Sequence, residues 1–449
     1  MSDAALVLAA GQGTRMRSSL PKVLHPLAGR PMLLRVLDAL AQAGFPCPTV
    51  VVGYQAGRIE AAIGDRCRYV VQEKQRGTGD AVRVGLDALP DAERIMVSSG
   101  DEPLIPAGVY REMLDLQSRA GAAVILLTAH VRDTRGFGRV IRCDGRPVAL
   151  VQEGDLDAEQ IAIDEVNLGA YVFDAAFLRR HIDALQPHPP KNELYLTDLV
   201  AAAIDAGKTV AAVTVPDGDT IMGINDLVQL EQSSASFYRA TNRRLMESGV
   251  TILDSASTFI DDRVQIDTDT IIHPFTTIQG ATRIGRGCQI GPGARLLEST
   301  VGNRTVVRDS TIEDSTIGDD VAVGPYAHIR GGATVGDRAE IGDHAEIKGS
   351  MVGAGSKMHH FSYLGDALVG TNVNIGAGTI TCNFDGRAKH PTVIGDNAFI
   401  GSDTMLRAPV TVGEGAVTGA GSVVTRDIPA HSVWAGVPAR QLRGPEEET

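Results

Sequence analysis

Two rhythms of apolar and polar positions divide this sequence. Over about the first 215 residues, short aliphatic runs alternate with stretches whose apolar residues recur every three or four positions. From about Val264 to Val424 an aliphatic residue recurs every six positions, commonly followed by glycine. The first rhythm predicts buried strands alternating with amphipathic helices; the second predicts a stack of short strands.

In the first region, residues 4–10, 49–53, 68–72 and 94–101 read as buried strands. Pro31 opens a helix with Leu33, Val36, Leu37 and Leu40 on its apolar face, and Gly44 ends it. Residues 56–63 and 78–88 supply two more helices. The alternation predicts an α/β fold, a parallel sheet wound with helices, whose ligand lies at the carboxyl ends of the strands. Further on come a strand after Ala120, a hairpin turning at Asp144-Gly145, and a strand at 167–173. Helices at 174–185 and 196–206, a strand at 210–215, and one long helix at 225–249 follow.

In the second region, Ile317, Val323, Ile329, Val335, Ile341 and Ile347 hold the six-residue register without a break, as do Ile394, Ile400, Leu406 and Val412. Such a period fits a solenoid in which each hexad is a strand and a turn, three hexads or about 18 residues to a coil. About nine coils are expected, stacked about 4.8 Å apart. The aliphatic residue points inward, and glycine is expected at the corner for its access to positive φ.

The 449 residues exceed one ordinary domain. The expected divisions are 1–226, a helical linker at 227–250, and a solenoid domain at 251–449. The net charge of -13 argues against nonspecific nucleic-acid binding but leaves room for a local phosphate pocket. No apolar run approaches a membrane span, and the first residues lack a leader pattern, so no membrane insertion and a cytoplasmic location are expected. Cys47, Cys67, Cys143, Cys288 and Cys382 are odd in number and contain no C-x-x-C, which points to reduced thiols and no zinc site. The acidic tail after Arg443 is expected to be disordered.

Two sets of residues suggest chemistry. GQGTRM, from Gly11 to Met16, follows a buried strand; glycine-exposed N–H groups with Arg15 and Lys22 suit an anion. It is neither a Walker A loop nor a dinucleotide fingerprint, and a plain tight turn is the competing reading. Asp101 ends another strand, where a carboxylate can meet Mg²⁺ on a nucleotide. In the solenoid, Arg330 and Lys348 lie 18 positions apart and so stack one coil apart, a pair of cations suited to phosphate or simply solvated. His359, His360 and Tyr363 follow, and the hexads lapse between Gly376 and Ile394, where an outward loop is expected.

LAAGQGTRM and LPKVLH, extended by QRGTGDA, SSGDEPL, GFGRV, VNLGAYVF and LYLTD, resemble sugar-1-phosphate nucleotidylyltransferases. Joined to hexapeptide repeats, the chain from Leu6 to Pro438 is similar to the bifunctional N-acetylglucosamine-1-phosphate uridyltransferases that are also glucosamine-1-phosphate N-acetyltransferases. The resemblance implies a Rossmann-like nucleotidyltransferase domain, a helical linker and a left-handed parallel β-helix that forms a homotrimer. It implies UTP and acetyl-CoA as substrates beside glucosamine-1-phosphate, with Mg²⁺ at the uridylyl site.

The implied residue roles follow. Leu8, Ala9, Ala10 and Gly11 hold the uridine and ribose side, Gln72, Gly77 and Thr78 read uracil, and Ser99 and Gly100 complete the pocket. Arg15 and Lys22 neutralise the triphosphate, and Asp101 and Asn225 bind Mg²⁺. Gly138, Asn167 and either Gln152 or Glu153 hold the sugar; the family has a glutamate where Gln152 stands. In the solenoid, His360 is the implied general base, and Arg330, Lys348, Tyr363 and Asn374 bind glucosamine-1-phosphate. Asn383, Phe384, Ala377, Ser402, Ala420 and Arg440 line the acetyl-CoA side, with Phe384 where the family usually has tyrosine. The alternative is a single-activity nucleotidylyltransferase whose solenoid only oligomerises or regulates; a non-enzymatic scaffold leaves Lys22, Asp101 and Asn225 unexplained.

Overall fold

A computed structural model describes residues 2–189, 192–216, 218, 221 and 223–444. The chain divides into two compact units, Met1–Ser236 and Phe237–Thr449, the boundary falling within the helix Leu227–Glu247. No helix among the described residues is long and apolar enough to cross a membrane. All five cysteines are free. The tail beyond Gly444 lies outside the described residues.

The first unit is a helix-flanked sheet. Its strands run in the order Val210–Val215, Val124–His130, Glu165–Asp174, Arg94–Ser99, Asp3–Ala9, Thr49–Val52 and Arg68–Val71. Val7, Val50 and Val97 on the three central strands are fully buried. Burial on both faces explains their unbroken aliphatic runs. The helix Met32–Gln42 buries Leu33, Val36, Leu37 and Leu40 against this sheet, as its apolar spacing requires.

The sheet is mixed, which corrects the expectation of a parallel one. Glu165–Asp174 runs antiparallel to both of its neighbours. Hydrophobic runs encode burial and not direction, so the pattern could not reveal it. Its ladder with Val124–His130 shifts register between Leu168 and Tyr171. Its pairing with Arg94–Ser99 covers only Tyr171 to Asp174.

The second unit is a three-faced parallel solenoid. The first face begins at Thr251–Ile252, the second at Phe259–Ile260 and the third at Gln265–Ile266, and they contain 12, 10 and 9 strands. The second face has one strand per coil, giving ten coils rather than about nine; the opening hexads lack the Ile-Gly pairs that mark the rest. Ile329, Ile347 and Leu364 stack in register at zero exposure. Buried hydroxyls sew coils together at the corners: Ser350 Oγ donates to Leu364 O at 3.2 Å and accepts from Ala367 N at 2.9 Å.

The repeat glycines act differently from expectation. Gly324 has φ 102, but Gly336 is not in the left-handed region. A Cβ on Gly336 would lie 2.7 Å from the Ala354 nitrogen in the next coil. Close approach of stacked backbones, more than positive φ, demands glycine there. The outward loop is also narrower than the lapse of hexads suggests. Ile380–Cys382 is a regular second-face strand, and the excursion spans residues 383–391.

Candidate functional sites

The first site forms where strands end. Asp3–Ala9, Thr49–Val52, Arg68–Val71 and Arg94–Ser99 are adjacent and parallel, so Leu8, Ala9, Ala10, Gly11, Gln72, Ser99, Gly100 and Asp101 share one rim. A Cβ on Gly11 would meet nothing within 4 Å, so the loop there is open. Gly13 has φ 62, and a Cβ on it would lie 2.6 Å from Lys22 Cβ; glycine lets Lys22 lie against the loop.

Lys22 is the hub. Its ammonium pairs closely with Asp101 and donates to Asn225 Oδ1 at 2.8 Å, which also accepts from Arg15 Nη2 at 2.8 Å. The Lys22 and Asp101 side chains are 12% and 22% exposed, so the pair is shielded yet reachable. Burial pushes the Asp101 carboxyl up, but Lys22 and the Ser99 hydroxyl together bring it below the usual range. Two hard oxygens, from a carboxylate and an amide, thus converge on one cation, the donor chemistry Mg²⁺ prefers. Among the described residues no cluster of three or more His, Cys, Asp or Glu could hold a metal. Asp101 and Asn225 supply donors that would fit an ion completing its shell with phosphate oxygens and water.

Gly77 begins the helix Thr78–Leu86 with φ 98, and a Cβ on it would lie 2.9 Å from Leu194 N. Thr78 Oγ1 accepts from Leu196 N at 3.0 Å, which fastens the LYLTD segment to GTGDA. Gln72 is buried and donates to Asp80 Oδ2 at 2.7 Å.

Gly138, Gln152 and Asn167 cluster separately. Asn167 N donates to Gly138 O at 3.0 Å. Its Nδ2 donates to Tyr171 Oη at 2.7 Å, while its buried Oδ1 has no partner. Gln152 Oε1 would lie 3.7 Å from a Cβ on Gly138; Glu153 is exposed. The structure therefore brings Gln152 beside Gly138.

The second site is built by stacking. Lys357, Asn374, Phe399 and Val417 are successive register partners on the first face. Three residues beyond each stand His360, Ala377, Ser402 and Ala420, one column up a single corner. Above His360 this column contains only the small residues Ala377, Ser402 and Ala420. Around the corner, Arg330 and Lys348 are direct register partners, and Tyr363 pairs with Glu346 in the same ladder. Arg330 Nη2 donates to Glu346 Oε1 at 2.6 Å, and Lys348 lies 3.7 Å from Asp366. Asn383 is buried and donates to Asp366 Oδ2 at 2.6 Å.

Lys389, which the sequence reading missed, joins them from the outward loop. Its ammonium and that of Lys348 titrate as a pair, with Lys389 held below and Lys348 above the usual lysine range by their mutual contact. The loop is folded back by an isolated pairing of Phe384 with Lys389 and by Asp385, which accepts from Arg387 N and Ala388 N at 2.8 Å. Phe384 itself is 60% exposed. Arg440 lies on the terminal hairpin strand Ala439–Arg443, opposite Ala435. Only the spacing of Lys389 within an aperiodic loop was visible in sequence, and spacing there carries no register.

Comparison with known proteins agrees with this division. Residues 5–158 match the MobA-like NTP transferase domain, 259–352 the GMPPB C-terminal domain, and 391–426 six bacterial transferase hexapeptide repeats. The chain joins a nucleotidyltransferase of Rossmann-like fold to a left-handed parallel β-helix of hexapeptide repeats. The bifunctional protein GlmU of Heliobacterium modesticaldum is 46% identical over 95% of this chain and 93% of its own. Those of Carboxydothermus hydrogenoformans and Pelobacter propionicus are 42% and 45% identical, each over at least 94% of this chain and 95% of their own. The chain belongs to the GlmU family of bifunctional proteins.

Proposed function

We propose that this chain makes UDP-N-acetylglucosamine in two steps at two sites. The solenoid acetylates glucosamine-1-phosphate from acetyl-CoA, and the first unit then transfers uridylyl from UTP to the product. The observation that carries this reading is the His360 column beside the Arg330–Lys348–Lys389 cluster, in a chain that also holds the Lys22–Asp101–Asn225 cluster. A solenoid that only oligomerised would have no use for the first set.

In the acetyl site, Arg330, Lys348 and Lys389 hold the sugar phosphate, with Tyr363 and Asn374 about the sugar. His360 takes a proton from the amine as nitrogen attacks the thioester carbon. The C–N bond forms, the C–S bond breaks, and coenzyme A leaves as thiol. Ala377 and Ala420 leave room for the pantetheine arm, Ser402 donates toward the developing oxyanion, Asn383 orients the reacting centre and Arg440 meets the CoA phosphates.

In the uridylyl site, an oxygen of the sugar phosphate attacks the α-phosphorus of UTP and pyrophosphate leaves. Arg15 and Lys22 neutralise the phosphates, and positioning matters more than a protein base. Mg²⁺ held by Asp101 and Asn225 supplies further neutralisation when bound. Gln72, Gly77 and Thr78 flank the base, and Gly138, Gln152 and Asn167 hold the sugar. Association of three chains through the β-helix is part of the proposal. Phe275, Tyr326 and Phe361, at equivalent places on one corner, are each at least 60% exposed, which suits a buried contact in an assembly. Incubation with glucosamine-1-phosphate, acetyl-CoA and UTP should yield UDP-N-acetylglucosamine by mass spectrometry. Formation of UDP-glucosamine or of acetylated sugar phosphate alone would refute the two-step reading.

A further inference from the structure

Glu102 has no part in the chemistry above, yet it is 5% exposed beside Asp101. Its Oε1 accepts from Gly169 N at 2.7 Å, and its buried Oε2 has no protein partner. The reason for the first contact lies in the sheet. Glu165–Asp174 joins the ladder of Arg94–Ser99 only from Tyr171 onward, and its other ladder shifts register across residues 169 and 170. At Gly169 the strand has left its regular partner, so the N–H needs another acceptor. The chain leaving Arg94–Ser99 turns and supplies one through Glu102.

The fit leaves no slack. A Cβ on Gly169 would lie 2.9 Å from Glu102 Oε1 and 3.1 Å from Ser99 Cβ. On the other side, a Cβ on Gly223 would lie 3.4 Å from Glu102 Cγ, and Ile224 N donates to Asp101 O at 2.9 Å. Glu102 is therefore wedged between the irregular strand that presents Asn167 and the segment that presents Asn225.

We propose that Glu102 is a positioning residue that sets the irregularity in the Glu165–Asp174 strand and thereby aims Asn167 at the sugar. The inference rests on the reading of the first unit as a sugar-1-phosphate uridylyltransferase. Two residues are extra in that ladder, Leu168 facing Leu127 and Tyr171 facing Leu126, so a regularised strand would keep Asn167 on its face but carry it two positions, about 7 Å, along the sheet. The role needs an acceptor oxygen, and glutamine has one.

The test is steady-state pyrophosphate release by the full chain, with KM determined separately for N-acetylglucosamine-1-phosphate and UTP. Glu102→Ala should raise the sugar-phosphate KM about tenfold, the effect of one lost hydrogen bond, and leave the UTP KM within about twofold. Glu102→Gln should restore the wild-type sugar KM. Should Glu102→Ala not fold, Gly169→Ala attacks the same contact from the other side and should produce the same split; UTP binding by calorimetry reports that the unit is intact. An unchanged sugar KM in Glu102→Ala, an equal rise in both KM values, or failure of Glu102→Gln to restore it would overturn the role. Absence of pyrophosphate release from wild type would instead overturn the uridylyl reading. A sugar KM that rises in Asn167→Ala but not in Glu102→Ala would refute the wedge alone.

Discussion

The two units assemble their sites by opposite means. In the first, Asp101 and Asn225 are 79 and 203 positions along the chain from Lys22, and only the tertiary fold of the unit brings them together. In the second, Arg330 and Lys348 are one coil apart, and His360 shares its corner with Ala377, Ser402 and Ala420 in successive coils. A convergent site depends on tertiary topology and a few charged contacts. A stacked site depends on register, so its precision comes from the aliphatic core that keeps coils aligned. Charge deletions should therefore damage the first unit sharply, and core deletions should damage the second through its scaffold.

The largest effect that would sharpen this contrast is at Lys22. Lys22→Ala removes the cation shared by Asp101 and Asn225 and should cut pyrophosphate release at least about 100-fold, the scale for a preorganised electrostatic group. Acetyl transfer by the same preparation should be unchanged, and a parallel fall in both activities would break the comparison. Next comes the core. Ile347→Ala, at zero exposure between Ile329 and Leu364, should destabilise the solenoid by about 2–5 kcal/mol. On graded heating, acetyl transfer should then disappear before pyrophosphate release, and simultaneous loss would argue against separate scaffolds.

Lys389→Ala tests the loop. Loss of one charge-assisted phosphate contact should raise the KM for glucosamine-1-phosphate about tenfold with little change for acetyl-CoA. The smallest effect concerns pH. Asp385 accepts two backbone N–H bonds and one from His390, and these hold its carboxyl down to about 2. Its folded value lies below the ordinary 3.8, so its support of the loop is complete above about pH 4 and fades as pH falls through about 2. A carboxyl chemical-shift titration should have its midpoint near the lower value; a midpoint near 3.8 would show that the loop is not held this way.

The same contrast governs what the sequence made legible. Period six placed Ile329, Ile347 and Leu364 in the core and paired Arg330 with Lys348, because in a solenoid sequence distance is spatial distance. It missed Lys389, which reaches Lys348 from an aperiodic loop, and the first coil, whose hexads lack glycine. In the first unit the strands and helices were legible from hydrophobic spacing. Their directions were not, so the antiparallel Glu165–Asp174 strand and its irregularity stayed hidden, and with them the purpose of Glu102. The choice between Gln152 and Glu153 was likewise beyond pattern, since it turns on which one meets Gly138 across a hairpin.

The most direct test of two separate active sites in one chain is free-thiol release from acetyl-CoA and glucosamine-1-phosphate, measured for wild type and His360→Ala beside pyrophosphate release from UTP and N-acetylglucosamine-1-phosphate. Wild type should do both; His360→Ala should lose thiol release by about 100-fold or more, the scale of a general base, and keep pyrophosphate release. Undiminished thiol release in the variant, or none from folded wild type, would contradict the stacked site.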